Sequence, residues 1–204
     1  FIYAKGEFNL NSSFSKIERN YQEWNSWTNE LDSSKYASRS VSVDGFNKYK
    51  LNQEFFIITG LSYQFFDMNT QTPYGELAEE GSKFNMIDPY FSGVYSSDFG
   101  LNVNAGARIN MHSQYGNQVV YNINPSFNIG KEIPIKLLAS YSTAFVTPSL
   151  YQLYSEYGTA SLTPEKNTTV ESGFEALFFN KKLTLNAIGF YREQNNSIGS
   201  DENY

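Results

Sequence analysis

The residues able to do chemistry are few. The 204 residues hold one histidine, His112, and no cysteine. A Ser/His/Asp or Cys/His nucleophile would therefore have to be built around that single imidazole. Asn110 and Gln114 flank it and would complete an imagined hydrolase site, but a histidine on a polar strand face at the edge of a loop is the simpler reading, and the chain is read as a non-enzyme. The lack of thiols also removes disulfides and thiolate metal sites. Asp67, Glu76, Glu79 and Glu80 fall in one stretch that carries Pro73, Gly75 and Gly81. Oxygen-rich loops of this kind can hold Ca2+, but the spacing follows no ligand loop, and a solvated acidic loop explains it. No cofactor is required and no metal ligand set is expected. The remaining candidates are aromatic: Trp24, Trp27, Tyr74, Tyr154 and Tyr157, with Tyr36 and Tyr151, all lie in or beside polar stretches. They either capture a small ligand or pack loops against one another.

The elements that would position these residues are strands. Residues 99–111 are the clearest case: Phe99, Leu101, Val103, Ala105, Ala107, Ile109 and Met111 alternate with Asn102, Asn104, Gly106, Arg108, Asn110 and His112. A period of two is the signature of a strand with one apolar and one polar face. The same rhythm recurs over 2–14, 41–51, 55–65, 84–96, 119–129, 135–145, 169–179 and 183–192, about nine strands in all. Short connections are expected near 52, 97, 132 and 181. Long loops are expected at 20–38 and 67–83, and near 115 and 157. In a meander of hairpins every second connection lies at the same end, so the long loops gather at one mouth. Outer-membrane barrels have this asymmetry, with short periplasmic turns and long extracellular loops.

Charges sort the two faces. The central positions of the apolar faces carry none, whereas Lys5, Glu7, Asp44, Lys48, Glu54, Arg108, His112, Lys136, Glu171, Glu175 and Arg192 fall opposite. An Arg or Lys facing mid-bilayer lipid costs about 2–4 kcal/mol, so this sorting fits a lipid-facing exterior and a wet or plugged lumen. Arg108, His112, Glu171 and Glu175 are then lumen-facing. Tyr49, Phe55, Phe99, Phe127 and Phe178 mark one strand end and Phe14, Tyr63, Phe65, Phe145 and Tyr191 the other, like two interfacial girdles. Asn47 is the misfit, sharing a face with Val43 and Tyr49.

Composition bounds the class. Aromatic residues make up 17% and charged residues 18%, and a net charge of -6 argues against a nucleic-acid partner. The first ten residues, FIYAKGEFNL, lack the basic and apolar regions of a signal peptide and read as mid-strand. About nine strands cannot close a single-chain barrel, which needs an even number. Residues 1–204 are therefore expected to be a fragment of one barrel domain. In water alone, such a sheet would expose a continuous apolar face.

The stretch from Tyr141 to Phe174, YSTAFVTPSLYQLYSEYGTASLTPEKNTTVESGF, carries a resemblance. Phe145, Pro148, Leu150, Leu153, Tyr154, Leu162, Pro164, Glu165 and Lys166 match a late barrel phrase of TonB-dependent outer-membrane receptors, S-x-x-F-x-x-P-x-L-x-x-L-Y followed by N-P-x-L-x-P-E. Gly158-Thr159-Ala160-Ser161 stands where the family usually has Asn-Pro. The resemblance implies an all-β, antiparallel transmembrane barrel in the bacterial outer membrane, here part of its C-terminal half. It also implies outer-membrane lipid, the protein's own plug and remaining strands, a periplasmic TonB-type coupling protein and a scarce nutrient as partners. The nutrient would be vitamin B12, an iron-siderophore, haem or similar. Phe145, Pro148, Leu153, Tyr154, Leu162, Pro164 and Glu165 would fix the path of a loop. Two other functions fit the residues: a barrel that anchors other outer-membrane proteins, and a soluble β-sandwich adhesin whose loop aromatics bind sugar.

Overall fold

Alternating side chains between turn residues fold into a meander. The computed structural model describes residues 1–73, 75–76, 83–130, 134–155 and 158–199. Its strands are β1 (Ile2–Tyr3), β2 (Gly6–Asn25), β3 (Glu30–Lys50), β4 (Phe55–Thr72), β5 (Gly75–Glu76), β6 (Lys83–Ser96), β7 (Leu101–His112), β8 (Gly116–Ile129), β9 (Ile135–Val146), β10 (Glu165–Phe178) and β11 (Leu183–Asn195). One short helix, α1 (Leu150–Tyr154), lies between β9 and β10. The strands make a single sheet in the order β1-β2-β3-β4-β6-β7-β8-β9-β10-β11, with β5 pairing only to β4. Every pairing is antiparallel. The sheet is open, and nine of its strands are long. No helix among the described residues is long and apolar enough to cross a membrane, which says nothing of strands.

Register converts the alternation into two faces, because residues directly opposite each other share a side. One row runs Leu10↔Gly45↔Leu61↔Pro89, and the next Ser12↔Val43↔Tyr63↔Ile87. Further along the sheet, Leu101↔Phe127↔Leu137↔Phe174 are opposed. Leu61, Ile87, Phe91, Ile109, Val119, Tyr121, Ile123, Leu137, Val170 and Leu185 all lie on this outer face with large areas uncovered. The inner face holds Asp44, Asp88, Arg108, Lys136, Glu171 and Glu175, together with the buried Ser62, Phe84 and His112. Apolar outside and polar inside is the reverse of a water-soluble sheet and is what a lipid-facing exterior demands.

The structure corrects the loop lengths. The stretch 20–38 is not a long loop: β2 continues to Asn25 and β3 starts at Glu30, leaving a four-residue connection. Asn25 shapes that turn, its Oδ1 accepting from the backbone N–H of Trp27 at 2.9 Å and of Thr28 at 3.3 Å, while Asn29 takes a positive φ of 59°. The stretch 67–83 also gives up six residues to β4, and the β7–β8 connection near 115 is equally tight. The cause is solvation. Beyond the bilayer both faces of a hairpin meet water, so the ladder persists while the apolar/polar alternation that announces it disappears. A strand of 20 or 21 residues is roughly 65–70 Å long, against an apolar band of about 25 Å. Asymmetry between the two ends thus lies as much in strand extension as in loop length.

Two further corrections concern the N-terminal part. Residues 2–14 are not one strand: the chain turns at Ala4 and Lys5, so Ile2 lies opposite Glu7 and Tyr3 opposite Gly6. That reversal explains the misfit at Asn47. Tyr3 donates its hydroxyl to Asn47 Oδ1 at 2.6 Å, satisfying an amide on the apolar face.

Candidate functional site

At the end of the sheet holding the β2–β3 turn, the inner faces of three strands and α1 enclose a cleft of about 450 Å3. Ile17, Arg19 and Tyr21 come from β2, Tyr36 and Ser38 from β3, Met68 from β4 and Tyr151 from α1. Their convergence follows from parity: odd residues of β2 and even residues of β3 and β4 share the inner face. Three tyrosine rings, a thioether and an isoleucine form an apolar wall with hydroxyl tips, and Arg19 supplies a guanidinium. Such a surface stacks a flat or conjugated ligand and neutralises an anionic group on it.

α1 is held rigidly enough to place Tyr151. Ser149 caps it: its Oγ accepts from the Gln152 N–H at 3.2 Å, and the Gln152 side chain accepts from the Ser149 N–H at 2.9 Å, a reciprocal capping box. Pro148, Leu150 and Leu153 are buried beneath it, Leu153 with 3% exposure. The chain then doubles back, Thr159 N–H donating to Gln152 O at 2.8 Å. Gly158 permits this, since a Cβ there would lie 2.8 Å from the Leu153 carbonyl carbon and the Tyr154 nitrogen. Farther on, Tyr115 donates to Leu162 O at 3.4 Å, and burial pushes its phenol above the ordinary value. Glu165 accepts from the Ile198 N–H at 2.6 Å, and Asn196 donates to Pro164 O at 3.5 Å. Leu162, Pro164 and Glu165 therefore tie the loop to the β7–β8 turn and to the exit of β11, and Phe145 sits opposite Lys166 on the outer face.

Lower on the inner wall is a second polar cluster. Tyr90 donates to Asp44 Oδ1 at 3.0 Å, Arg108 lies over the Tyr90 ring at 5.2 Å, and its Nη1 is 3.9 Å from Asp88 Oδ2. Asp88 is almost fully buried, and its Oδ1 has no hydrogen-bond partner among the described residues. Pro89 follows it and has no N–H, and the β6–β7 register lapses at these two residues. His112 is a turn brace: at 4% exposure its ring lies 4.6 Å from Phe84 and 5.0 Å from Tyr115, and its Nδ1 accepts from the N–H groups of Gln114 and Tyr115. That nitrogen cannot also serve as a catalytic base. Glu171 and Glu175 stand on the inner face of β10, opposite Ser140 and Lys136.

Of the aromatic residues singled out from the sequence, Tyr36 and Tyr151 line the cleft, whereas Trp24, Trp27 and Tyr154 do not. Trp24 is on the outer face of β2, opposite Leu31, and Trp27 tips the β2–β3 turn with 96% exposure. Tyr154 ends α1 without lining the cleft. Tyr74 and Tyr157 lie outside the described residues, as do Glu79 and Glu80, while Asp67 is engaged by Arg39. Among the described residues no group of three His, Cys, Asp or Glu is placed to hold a metal ion. The structure gathers Tyr36 and Tyr151 with Tyr21, the one ring of the three that sequence reasoning did not single out. Counting parity upward from Phe8, Leu10 and Phe14 puts Tyr21 inside and Trp24 outside, a signal present in the sequence once β2 is known to continue.

Comparison with known proteins agrees with this architecture. Over 95 residues the chain is 35% identical to the vitamin B12 transporter BtuB of Vibrio cholerae serotype O1, a match covering 46% of this chain and 15% of that transporter. Among solved structures, the copper transporter OprC superposes with a TM-score of 0.75 at 10% identity, over 94% of this chain and 36% of its own. The siderophore receptor PirA from Acinetobacter baumannii gives 0.71 at 14% identity, over 94% and 33%. At these identities the structural matches speak for the fold alone, and this chain spans about a third of either receptor. The family model for the TonB-dependent receptor-like β-barrel matches residues 2–204, so the chain belongs to the TonB-dependent receptor β-barrel family.

Proposed function

We propose that this chain is part of an outer-membrane receptor that captures a scarce nutrient at the mouth of its barrel and imports it, driven by a periplasmic TonB-type coupling protein. A plug and further strands complete the barrel on this reading. The observation that carries it is the cleft of Tyr21, Tyr36, Tyr151, Met68, Ile17 and Arg19 at the loop end of the inner wall. An aromatic wall with one cation suits a large conjugated ligand with an anionic edge, in the class of corrinoids, haem or iron chelates. Family membership and the partial match to a vitamin B12 transporter support import over a purely anchoring role.

The test uses the complete receptor. Tyr21→Ala/Tyr36→Ala/Tyr151→Ala should weaken binding of the cognate nutrient more than tenfold, because each stacked ring contributes about 0.5–1.5 kcal/mol beyond its buried area. Wild-type affinity in the triple variant would remove the cleft from the argument. Uptake that persists without the coupling complex would refute energised import and favour the anchoring role.

A further inference from the structure

His112 is buried near the mouth yet belongs to neither the cleft nor the polar cluster below it. Its Nδ1 accepts two backbone N–H groups, from Gln114 at 3.1 Å and from Tyr115 at 3.3 Å. A ring nitrogen that accepts carries no proton, so the proton of the neutral ring lies on Nε2. That atom is buried with no hydrogen-bond partner among the described residues. Nothing beside the ring offsets a second proton, for His112 takes part in no ion pair among the described residues. Phe84 and Met86 of β6 and Gln64 and Phe66 of β4 adjoin it, and none of these titrates. Lys83 of β6 stands opposite Asp67 on the other face, and Asp88 and Arg108, lower on the inner wall, face each other. The titratable neighbour in contact with the ring is Tyr115.

Tyr115 connects this brace to the cleft. Its ring packs on His112 at 5.0 Å, and its hydroxyl donates to Leu162 O at 3.4 Å. Burial first, and the nearby Tyr154 phenol second, hold Tyr115 above the ordinary phenol value. Tyr154 ends α1 and Leu162 lies on the chain's return toward β10, so Tyr115 meets the loop on both sides of its bend. Tyr151, a wall of the cleft, stands between the buried Leu150 and Leu153 on the same short helix.

We propose that His112 is a positioning residue for the ligand cleft and makes it respond to pH: the neutral ring braces Tyr115 and so holds α1 and Tyr151 in place, and the protonated ring releases them. The proposal rests on the reading of the cleft as the ligand site. A second proton must enter at Nδ1, where it faces two N–H donors, so both hydrogen bonds are lost together. Linkage sets the direction. The braced state binds no proton at Nδ1 and the released state does, so bracing is complete well above the ordinary histidine value of about 6.5 and weakens as pH falls below it. With one proton involved, each pH unit shifts the balance at most tenfold, a ceiling of about 30-fold between about pH 7.5 and 5.0.

The complete receptor would carry nitroxide labels at Ser33 and Ala160, exposed positions on β3 and on the loop after α1, and be measured first without ligand. Over that pH interval the distance distribution should broaden on acidification. His112→Asn offers both N–H groups a carbonyl oxygen that does not titrate, so its distribution should stay narrow throughout. Tyr115→Ala, which removes the link, should be broad throughout. Cyanocobalamin, whose own charge is constant over this range, serves as the binding probe: its affinity should fall at least about threefold on acidification and stay flat in His112→Asn. A label distance or a measurable affinity that ignores pH overturns the proposal, as does the same pH response in His112→Asn or a narrow distribution in Tyr115→Ala. If no cyanocobalamin binds even at the upper pH, that result counts against the ligand reading of the cleft, and the label distances alone decide the brace.

Discussion

Gly60 is the position where one added carbon should do measurable damage. It lies on the inner face of β4 directly opposite Tyr90, whose ring crosses over it to reach Asp44. A Cβ on residue 60 would sit 2.8 Å from Tyr90 Cε1 and closer still to the hydroxyl end. Ordinary contact starts near 3.4 Å, so the ring must move by at least about 0.6 Å, and a hydrogen bond of 3.0 Å does not survive that displacement. Gly60→Ala therefore forfeits a hydrogen bond to a charged acceptor, about 1.5–3 kcal/mol, and weakens the Arg108–Tyr90 contact, about 0.5–1 kcal/mol. Reduced freedom of the unfolded chain returns about 0.4–1 kcal/mol. The expected net loss is about 1–3 kcal/mol, read from urea unfolding of the complete barrel in lipid vesicles. A double-mutant cycle supplies the decisive test. In a Tyr90→Ala background the same Gly60→Ala change should cost less than about 0.5 kcal/mol, giving a coupling above about 1 kcal/mol. Strictly additive effects would refute the claim that Gly60 exists to make room for Tyr90.

Other outcomes follow from the same geometry. Val103→Arg, on the outer face between Tyr95 and Pro125, should block assembly in outer-membrane fractions at a cost of about 2–4 kcal/mol, whereas Asn104→Arg on the inner face should assemble; equal tolerance would sink the lipid assignment. Epitope tags at Trp27 and Gly75 should be readable on intact cells and tags at Asp98 and Lys181 should not, because the sheet places these pairs at opposite ends; a readable tag at Asp98 would reverse the topology. Ser149→Ala should cost about 0.5–2 kcal/mol locally and accelerate amide exchange at Gln152 and Leu153, and an unchanged exchange rate would show that burial of Leu150 and Leu153 alone holds α1.

What the sequence disclosed depended on the solvent each segment meets. Within the bilayer band one face must be apolar and the other polar, so residues 99–111 and 119–129 announce their strands and both faces directly. The turns near 52, 97 and 181 were legible for a related reason: Asn52, whose Oδ1 accepts from Glu54 and Phe55, and Gly100, at a φ of 101°, are turn residues by chemistry. Above the band that information vanishes. Residues 20–38 are polar on both sides and resemble a loop, yet they take part in nine of the twenty residue pairs that join β2 to β3. The error propagated to the site. With β2 ended early, parity cannot be carried to Tyr21 and Trp24, and Trp24 reads as a loop aromatic rather than an outer-face strand residue. Asn47 failed for a different reason: its partner Tyr3 lies forty-four residues away, across a hairpin stub that no local pattern reveals.

The segment that discloses the family does not touch most of the candidate cleft, and the reason is mechanical. Pro148, Leu150 and Leu153 are buried anchors, Gly158 permits a close backbone return, and Glu165 holds the chain leaving β11. These residues solve a problem common to any barrel of this design: passing from β9 to β10 across the mouth without a floppy loop. Only Tyr151, carried between the buried Leu150 and Leu153 on α1, reaches the cleft from this segment. Its other walls, Ile17, Arg19, Tyr21, Tyr36 and Met68, come from the extended ends of β2, β3 and β4, where no motif exists because no packing constraint fixes the residue types. Family identity and ligand choice are thus written in different places. On the proposed reading, exchanging the mouth-side halves of β2 and β3 between related receptors should move ligand preference while the motif segment is left untouched.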